Sequence, residues 1–203
     1  MAVPLHILEL RKIASMIGTE MNSLQRSRRP STNTQEILHK RLIEWRRSMP
    51  FPLPETKSKV PHLCTSWFDL NYTHLIMLYR PSVVRVTDEI DTVEMDILAE
   101  SSGMAIREAN NLYRQQRFAF NWLNLMTIFN AALSLIYSTT ARLQPDAPRF
   151  AHERTRAIED LELVLGILDQ FCRKFPSAVQ ILDMVRTVLK RLSVPPHSGM
   201  RGC

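Results

Sequence analysis

The stretch from Phe118 to Ala141 contains no charged residue and is bracketed by Arg117 and Arg142. A run of this length could span a bilayer, which takes about 20 apolar residues. Its polar residues argue otherwise. Asn121, Asn124, Thr127, Asn130, Ser134 and Ser138 recur every three or four positions against Trp122, Leu125, Met126, Phe129, Leu133 and Ile136. That is the period of a two-faced helix, and asparagines in hydrocarbon would each need a partner. The segment is expected to be a central buried helix of a bundle, with no membrane partner.

Composition supports helices throughout. Only five glycines occur in 203 residues, with 45% hydrophobic content. Rossmann, P-loop and sandwich folds use glycine for tight turns and close backbone approach, so its scarcity beside abundant Leu, Ile, Met and Ala favours an all-α chain. The net charge of +6 is spread along the helical segments and is densest at Arg26, Arg28 and Arg29. No aromatic-interleaved basic stripe accompanies it, which argues against direct DNA contact by this chain.

The periodicity predicts the elements. Ile7, Leu10, Ile13, Ile17, Met21 and Leu24 form one face of a helix from Leu5 to about Leu24. Asn33 and Glu36 form a capping-box pattern ahead of Ile37, Leu38, Leu42 and Trp45, and Pro50 ends that helix. Pro50, Pro52, Pro54 and Pro61 make residues 49–63 an extended connection. Ser66 opens the next helix, with Leu75, Leu78 and Tyr79 on one face, and Pro81 stops it after Arg80. Asp88, Glu89, Asp91, Glu94 and Asp96 crowd the start of a helix from about Thr92 to Gln116. They suit the positive end of its dipole better than a metal site, because Gly103 is too distant for a calcium loop.

Beyond the loop at Gln144–Pro148, Ile158, Leu161, Leu165, Leu168, Cys172 and Phe175 mark a helical seam. Pro176 breaks it, Ser177 and Gln180 offer a second capping box, and Ile181, Val185, Val188 and Leu192 continue the spacing. Two such runs across a short break imply an antiparallel pair or one bent helix. The expected architecture is an irregular bundle of about seven helices in one domain over residues 1–193, with a flexible tail from Val194.

Chemistry finds few footholds. Cys64, Cys172 and Cys203 suggest no disulfide framework and suit a reducing intracellular setting. The N-terminal segment has no signal-peptide pattern. His6, His39, His62, His74, His152 and His197 form no H-E-x-x-H or C-x-x-C arrangement, and no G-x-S-x-G elbow or phosphate loop is present. No catalytic residue, metal ligand or cofactor is assigned, and the chain is expected not to be an enzyme. Arg80 is expected to bond the carbonyls left open at the end of its own helix.

The segment DLNYTHLIMLYRPSV, Asp69 to Val83, resembles the helix ending in leucine-(tyrosine or phenylalanine)-arginine-proline in the regulatory "middle homology" domain of fungal transcription factors of the binuclear zinc cluster family. Leu78, Tyr79, Arg80, Pro81 and Ser82 carry that likeness. Two further segments lie in the order of that domain. Leu10-Arg11-Lys12-Ile13-Ala14-Ser15-Met16-Ile17 is similar to its early "leucine-arginine-x-isoleucine-x-serine-x-isoleucine" helix, and Leu42 to Pro50, with Trp45, to its "leucine, tryptophan, then proline" segment. Ala105 to Asn111 and Phe118 to Tyr137 look like its later core helices, so the likeness covers most of residues 5 to 192.

The resemblance implies a transcription-regulator-like protein of the nucleus. It implies contacts with a full-length factor or a second copy of itself, and room for a small-molecule effector. The six-cysteine cluster that binds zinc and DNA in that family is not matched, so the chain resembles only the C-terminal half of the regulatory region and is expected to be a stand-alone or truncated form. The alternative expectation is a helical small-molecule-binding protein or enzyme of a fungal biosynthetic pathway. It rests on the aromatic, Met-rich middle, and a closed pocket lined by His74, Asn124, Asn130 or Arg80 would favour it.

Overall fold

The computed structural model describes residues 2–22, 32–49, 72–80, 92–141 and 148–193. These are helical almost throughout, with seven helices and no strand among them, so the fold is an all-α multi-helix bundle. In chain order they are α1 (Ala2–Asn22), α2 (Thr32–Arg47), α3 (72–79), α4 (Thr92–Arg114), α5 (Trp122–Thr140), α6 (Pro148–Cys172) and α7 (Ser177–Ser193). The proline-rich connection from Pro50, the expected helix start Ser66, the acidic residues Asp88, Glu89 and Asp91, residues 144–147 of the expected loop, Cys64 and Cys203, and the tail from Val194 lie outside the described residues; Pro148, expected in that loop, is instead the first residue of α6.

Helices α1 and α2 pack as one pair. Helices α4 to α7 form a second group in which α4 lies along α5 and α6 along α7, with α6 also against both α4 and α5. The α6–α7 pair is antiparallel: the Arg154 guanidinium, near the start of α6, donates through Nε and Nη2 to the Leu192 carbonyl at the end of α7. That carbonyl belongs to the last turn, where no intrahelical donor remains, so Arg154 completes the helix end. Among the described residues, α1 and α2 make no close backbone approach to α4–α7. One hydrophobic core nevertheless runs through both groups, and Tyr72, Leu75, Ile76, Leu78 and Tyr79 of α3 belong to it.

Several helix faces are turned from where the apolar pattern placed them. In α1 the buried side is His6, Leu10, Ile13 and Ile17, while Ile7 is exposed; His6 replaces it because its ring has an aromatic partner. In α2 Gln35, Leu38, Leu42 and Trp45 are buried and Ile37 is exposed. Asn33 lies inside that helix, which begins at Thr32, so it is not the cap. The inward side of α6 is Ala157, Asp160, Leu161, Val164, Ile167, Leu168 and Phe171, leaving Ile158, Leu165 and Cys172 half-buried. An aspartate on that face hid the true seam. In α7 the buried set is Ala178, Leu182, Val185 and Leu192. Its first turn closes through backbone bonds from Ala178 to the Phe175 carbonyl and from Val179 to the Pro176 carbonyl.

The charge-free segment is not one helix from Phe118. Residues 118–120 are non-helical, and Asn121 is the N-cap of α5, its side-chain oxygen accepting from the Asn124 N–H at 2.9 Å. The polar stripe does not face water as a unit: Ser134 and Ser138 are buried, and Ser138 Oγ donates to the Leu135 carbonyl at 3.0 Å. Together with Ala131 and Ala132 they keep the inward side of α5 narrow. The facing helix α4 buries Ser101, Ser102, Gly103, Ala105 and Ala109, so small residues on both sides let the two backbones approach. No described helix is long and apolar enough to cross a membrane.

The end of α4 explains the break before α5. Arg117 N–H reaches the Leu112 carbonyl at 2.9 Å and Gln116 N–H the Tyr113 carbonyl at 2.9 Å, with Gln116 in the left-handed region at φ 56°. These two bonds are the Schellman arrangement that satisfies a helix C-terminus, here built on glutamine where glycine is commonest.

Candidate functional site

Helix α3 is the natural place to look, since it carries the motif and touches both helix groups. Toward α2, the Tyr79 hydroxyl lies 2.5 Å from His39 Nδ1, and the two rings meet edge to face at 5.5 Å. The Arg46 guanidinium lies 5.6 Å from the centroid of the Tyr72 ring. Toward α5, Arg80 Nη1 donates to Asn130 Oδ1 at 3.3 Å. The helix itself ends where Pro81 dictates, its last backbone bond running from Arg80 N–H to the Ile76 carbonyl at 2.8 Å.

Behind His39, Trp45 anchors α2 on α1. Its indole N–H donates to the His6 carbonyl at 2.8 Å, and the two rings stack at 4.7 Å with 16° between their planes. Burial pushes both imidazoles, His6 and His39, below the ordinary histidine value, against the opposing pull of Glu9 on His6. Burial likewise raises the Tyr72 phenol, partly countered by Arg46. Neutral rings among apolar neighbours are packing elements with polar handles.

Of the residues singled out from the sequence, Leu78 is fully buried and Tyr79 and Trp45 nearly so. Arg80 does not turn back onto its own helix; its guanidinium crosses to α5. Pro50, Pro81 and Ser82 lie outside the described residues. The three residues expected to share a pocket each have a place in the described helices. His74 is buried on α3, Asn130 meets Arg80, and Asn124 is engaged at the start of α5, where its amide donates to the Ala119 carbonyl at 2.7 Å. Asn124 and Asn130 stand six residues apart, roughly 9 Å along the axis and on different sides of the helix.

A second polar constellation has no counterpart in the motif reading. Asp160 of α6 is buried among apolar residues and receives both Nε and Nη2 of Arg107 from α4, at 2.8 and 2.6 Å. This fork-on-carboxylate pair compensates a charge that would otherwise be costly to bury. It depends on Gly103: a Cβ there would stand 2.6 Å from Asp160 Oδ2 and 3.0 Å from Arg107 Nη2. An isolated glycine inside a helical pattern was the available sequence signal for such an approach. Among the described residues no three His, Cys, Asp or Glu side chains gather as metal ligands. Cys172 is a free, half-buried thiol whose pKa burial raises, which makes it a poor nucleophile.

Compared with curated proteins, the chain is 22% identical over 128 residues to the negative regulator of pleiotropic drug resistance STB5 of Candida glabrata. The match covers 63% of this chain and 12% of that protein, so the chain corresponds to a small part of the relative's length. The relationship is distant, and it is to a fungal regulatory protein. No protein-family model matches the chain, and no solved structure matches it.

Proposed function

We propose that this chain is a transcription-regulator-like helical region that works in the nucleus through contacts with other proteins, either a full-length factor or a second copy of itself. The observation that carries the reading is the 128-residue likeness to a fungal regulator. An all-α bundle whose motif residues serve packing fits a part that transmits or receives contacts better than one that performs chemistry. The motif helix α3 has its aromatic and cationic side chains engaged by α2 and α5, and that packing role supports a part that transmits contacts.

Helix α1 supplies a surface for such contacts. Leu5 and Leu8 are 61% and 56% exposed, and with Lys12 and Met16 they follow one outward stripe, spaced three, four and four. Exposed leucines one turn apart mark an association face more often than isolated ones do. Size-exclusion chromatography with light scattering tests the reading. Self-association, or co-elution with a full-length fungal factor, that is lost in L5E/L8E supports it. A monomer that ignores such a factor counts against it.

A further inference from the structure

At one end of the α4–α7 group, the connection from α4 to α5 lies against the turn from α6 to α7. Phe118 and Phe120 meet Phe171 edge to face at 6.0 and 5.0 Å, and Tyr113 meets Phe120 at 6.1 Å. Across the same seam Trp122 stands 6.3 Å from Phe175, and Lys174 Nζ donates to the Phe120 carbonyl at 2.8 Å. The two connections are therefore one surface on a fixed aromatic floor. Edge-to-face rings attract one another beyond the effect of their burial, which holds the floor together.

Two features of this surface are unusual together. Trp122 and Leu123 protrude from it, 54% and 70% exposed, and Val179 in the first turn of α7 is exposed as well. Around them positive charge is in excess. No Asp or Glu occurs between Glu108 and Asp146, or between Asp169 and Asp183, whereas Arg114, Arg117, Arg173 and Lys174 are all exposed. Arg114, Arg117 and Lys174 have no carboxylate within one turn, while Arg173 has Asp169 one turn before it, so the excess around the exposed tryptophan and leucine is positive and makes an apolar centre with a mainly cationic rim. The nearest carboxylate downstream, Asp183, already has Arg186 at 3.6 Å.

We infer that this surface docks an acidic amphipathic peptide segment of another protein, its apolar side chains seated on Trp122, Leu123 and Val179 and its carboxylates paired with Arg114, Arg117, Arg173 and Lys174. Tryptophan and arginine are the residues that dominate binding energy when desolvated, and a rim with one charge in excess steers an oppositely charged partner to the centre. A nucleic acid would use the cations and stack on Trp122 but leave Leu123 and Val179 without a partner. A lipid surface calls for side chains projecting freely, whereas Trp122 leans on Phe175. The inference concerns a surface separate from the α1 stripe and holds whether or not the chain is a regulator.

The test is a fluorescence-anisotropy titration of the full chain with a fluorescein-labelled peptide of Asp and Glu interspersed with Leu and Phe. Saturable binding is expected, weakened by added salt and by about tenfold or more in W122A/L123A. The charge reversal R114E/R117E, at exposed positions that leave the aromatic floor intact, is expected to weaken it as strongly. In L5E/L8E binding stays as in the parent chain. The inference is overturned if both variants bind like the parent, or if a peptide with Lys in place of the acids binds equally well. It is also overturned if duplex DNA or phosphatidylglycerol vesicles bind through Trp122 and Arg117 while the acidic peptide does not.

Discussion

Tyr79 and His39, forty residues apart in sequence, share a hydrogen bond of 2.5 Å that fastens α3 to α2. Deleting the hydroxyl in Tyr79→Phe leaves ring packing intact and a half-buried imidazole nitrogen without that partner. Urea unfolding should show a loss of about 1–2 kcal/mol, the usual penalty for stranding one member of a buried pair. An unchanged midpoint would mean the bond contributes nothing to the fold.

Trp45 gives a graded test of the α1–α2 contact. Trp45→Phe keeps an aromatic ring for His6 to stack on but removes the donor to its carbonyl, and should cost about 1–2 kcal/mol. Trp45→Ala also opens a cavity and should cost about 3–5 kcal/mol. Equal effects of the two changes would show that the hydrogen bond, not the ring, carries the contact.

Glycines in α4 and α6 should respond in opposite directions to the same substitution. At Gly166 a Cβ would meet open space, so Gly166→Ala should stabilise by about 0.5–1 kcal/mol through helix propensity. Gly103→Ala would drive a methyl into the Arg107–Asp160 pair and should destabilise by about 1–3 kcal/mol, less than the about 3–5 kcal/mol of breaking a buried pair because the clash is with side-chain ends and Arg107 is 28% exposed. Calorimetry on both variants reads the contrast; stabilisation by Gly103→Ala would show that the pair shifts aside freely.

Gln116 is the third backbone test. With φ at 56° it occupies a conformation that costs an L-residue about 1–2 kcal/mol, and Gln116→Gly should recover about 1 kcal/mol despite the looser unfolded chain. Thermal denaturation that moves downward instead would place its side chain, not its backbone, in the stabilising role.

The histidines predict a pH dependence. Burial lowers the folded-state pKa of His6 and His39, so as pH falls below the ordinary value of 6.5 the unfolded chain takes up protons that the fold resists. Their contribution is fully present above that value and is lost as pH drops through their folded pKa values. The half-buried Glu108, whose pKa burial raises, acts oppositely at lower pH because the fold there binds the extra proton. Urea midpoints should therefore decline from about pH 7.5 to about pH 5.5. The decline should shrink in H6Q/H39Q, and an equal slope in that variant would assign it to other groups.

Legibility in the sequence differed by type of information. Helical content and element order followed from period and punctuation: Pro81 ended α3 and Pro176 separated α6 from α7, whereas Pro148, read as loop, opens α6. Facing was harder to read. Hydropathy alone put Ile7, Ile37 and Leu165 inside and could not see that His6 would stack on Trp45 or that Asp160 would be matched by Arg107. The break at residues 118–121 was hidden because apolar residues fit a loop packed on Phe171 as well as they fit a helix. Of the polar residues weighed as a pocket, the pattern could not tell which ones helix starts and crossings would claim, and Asn124 and Asn130 went to those uses.

Because the described part of α3 bonds to α2 through Tyr79 and to α5 through Arg80, the coupling between the α1–α2 pair and the rest should depend on it. Remove its grip and the chain should behave as two foldons, the amino-terminal pair opening at lower free energy than α4–α7. Amide hydrogen exchange would then report two protection levels where the intact chain gives one. On that view an arginine and a tyrosine at the end of one helix set whether a disturbance in one half is felt in the other.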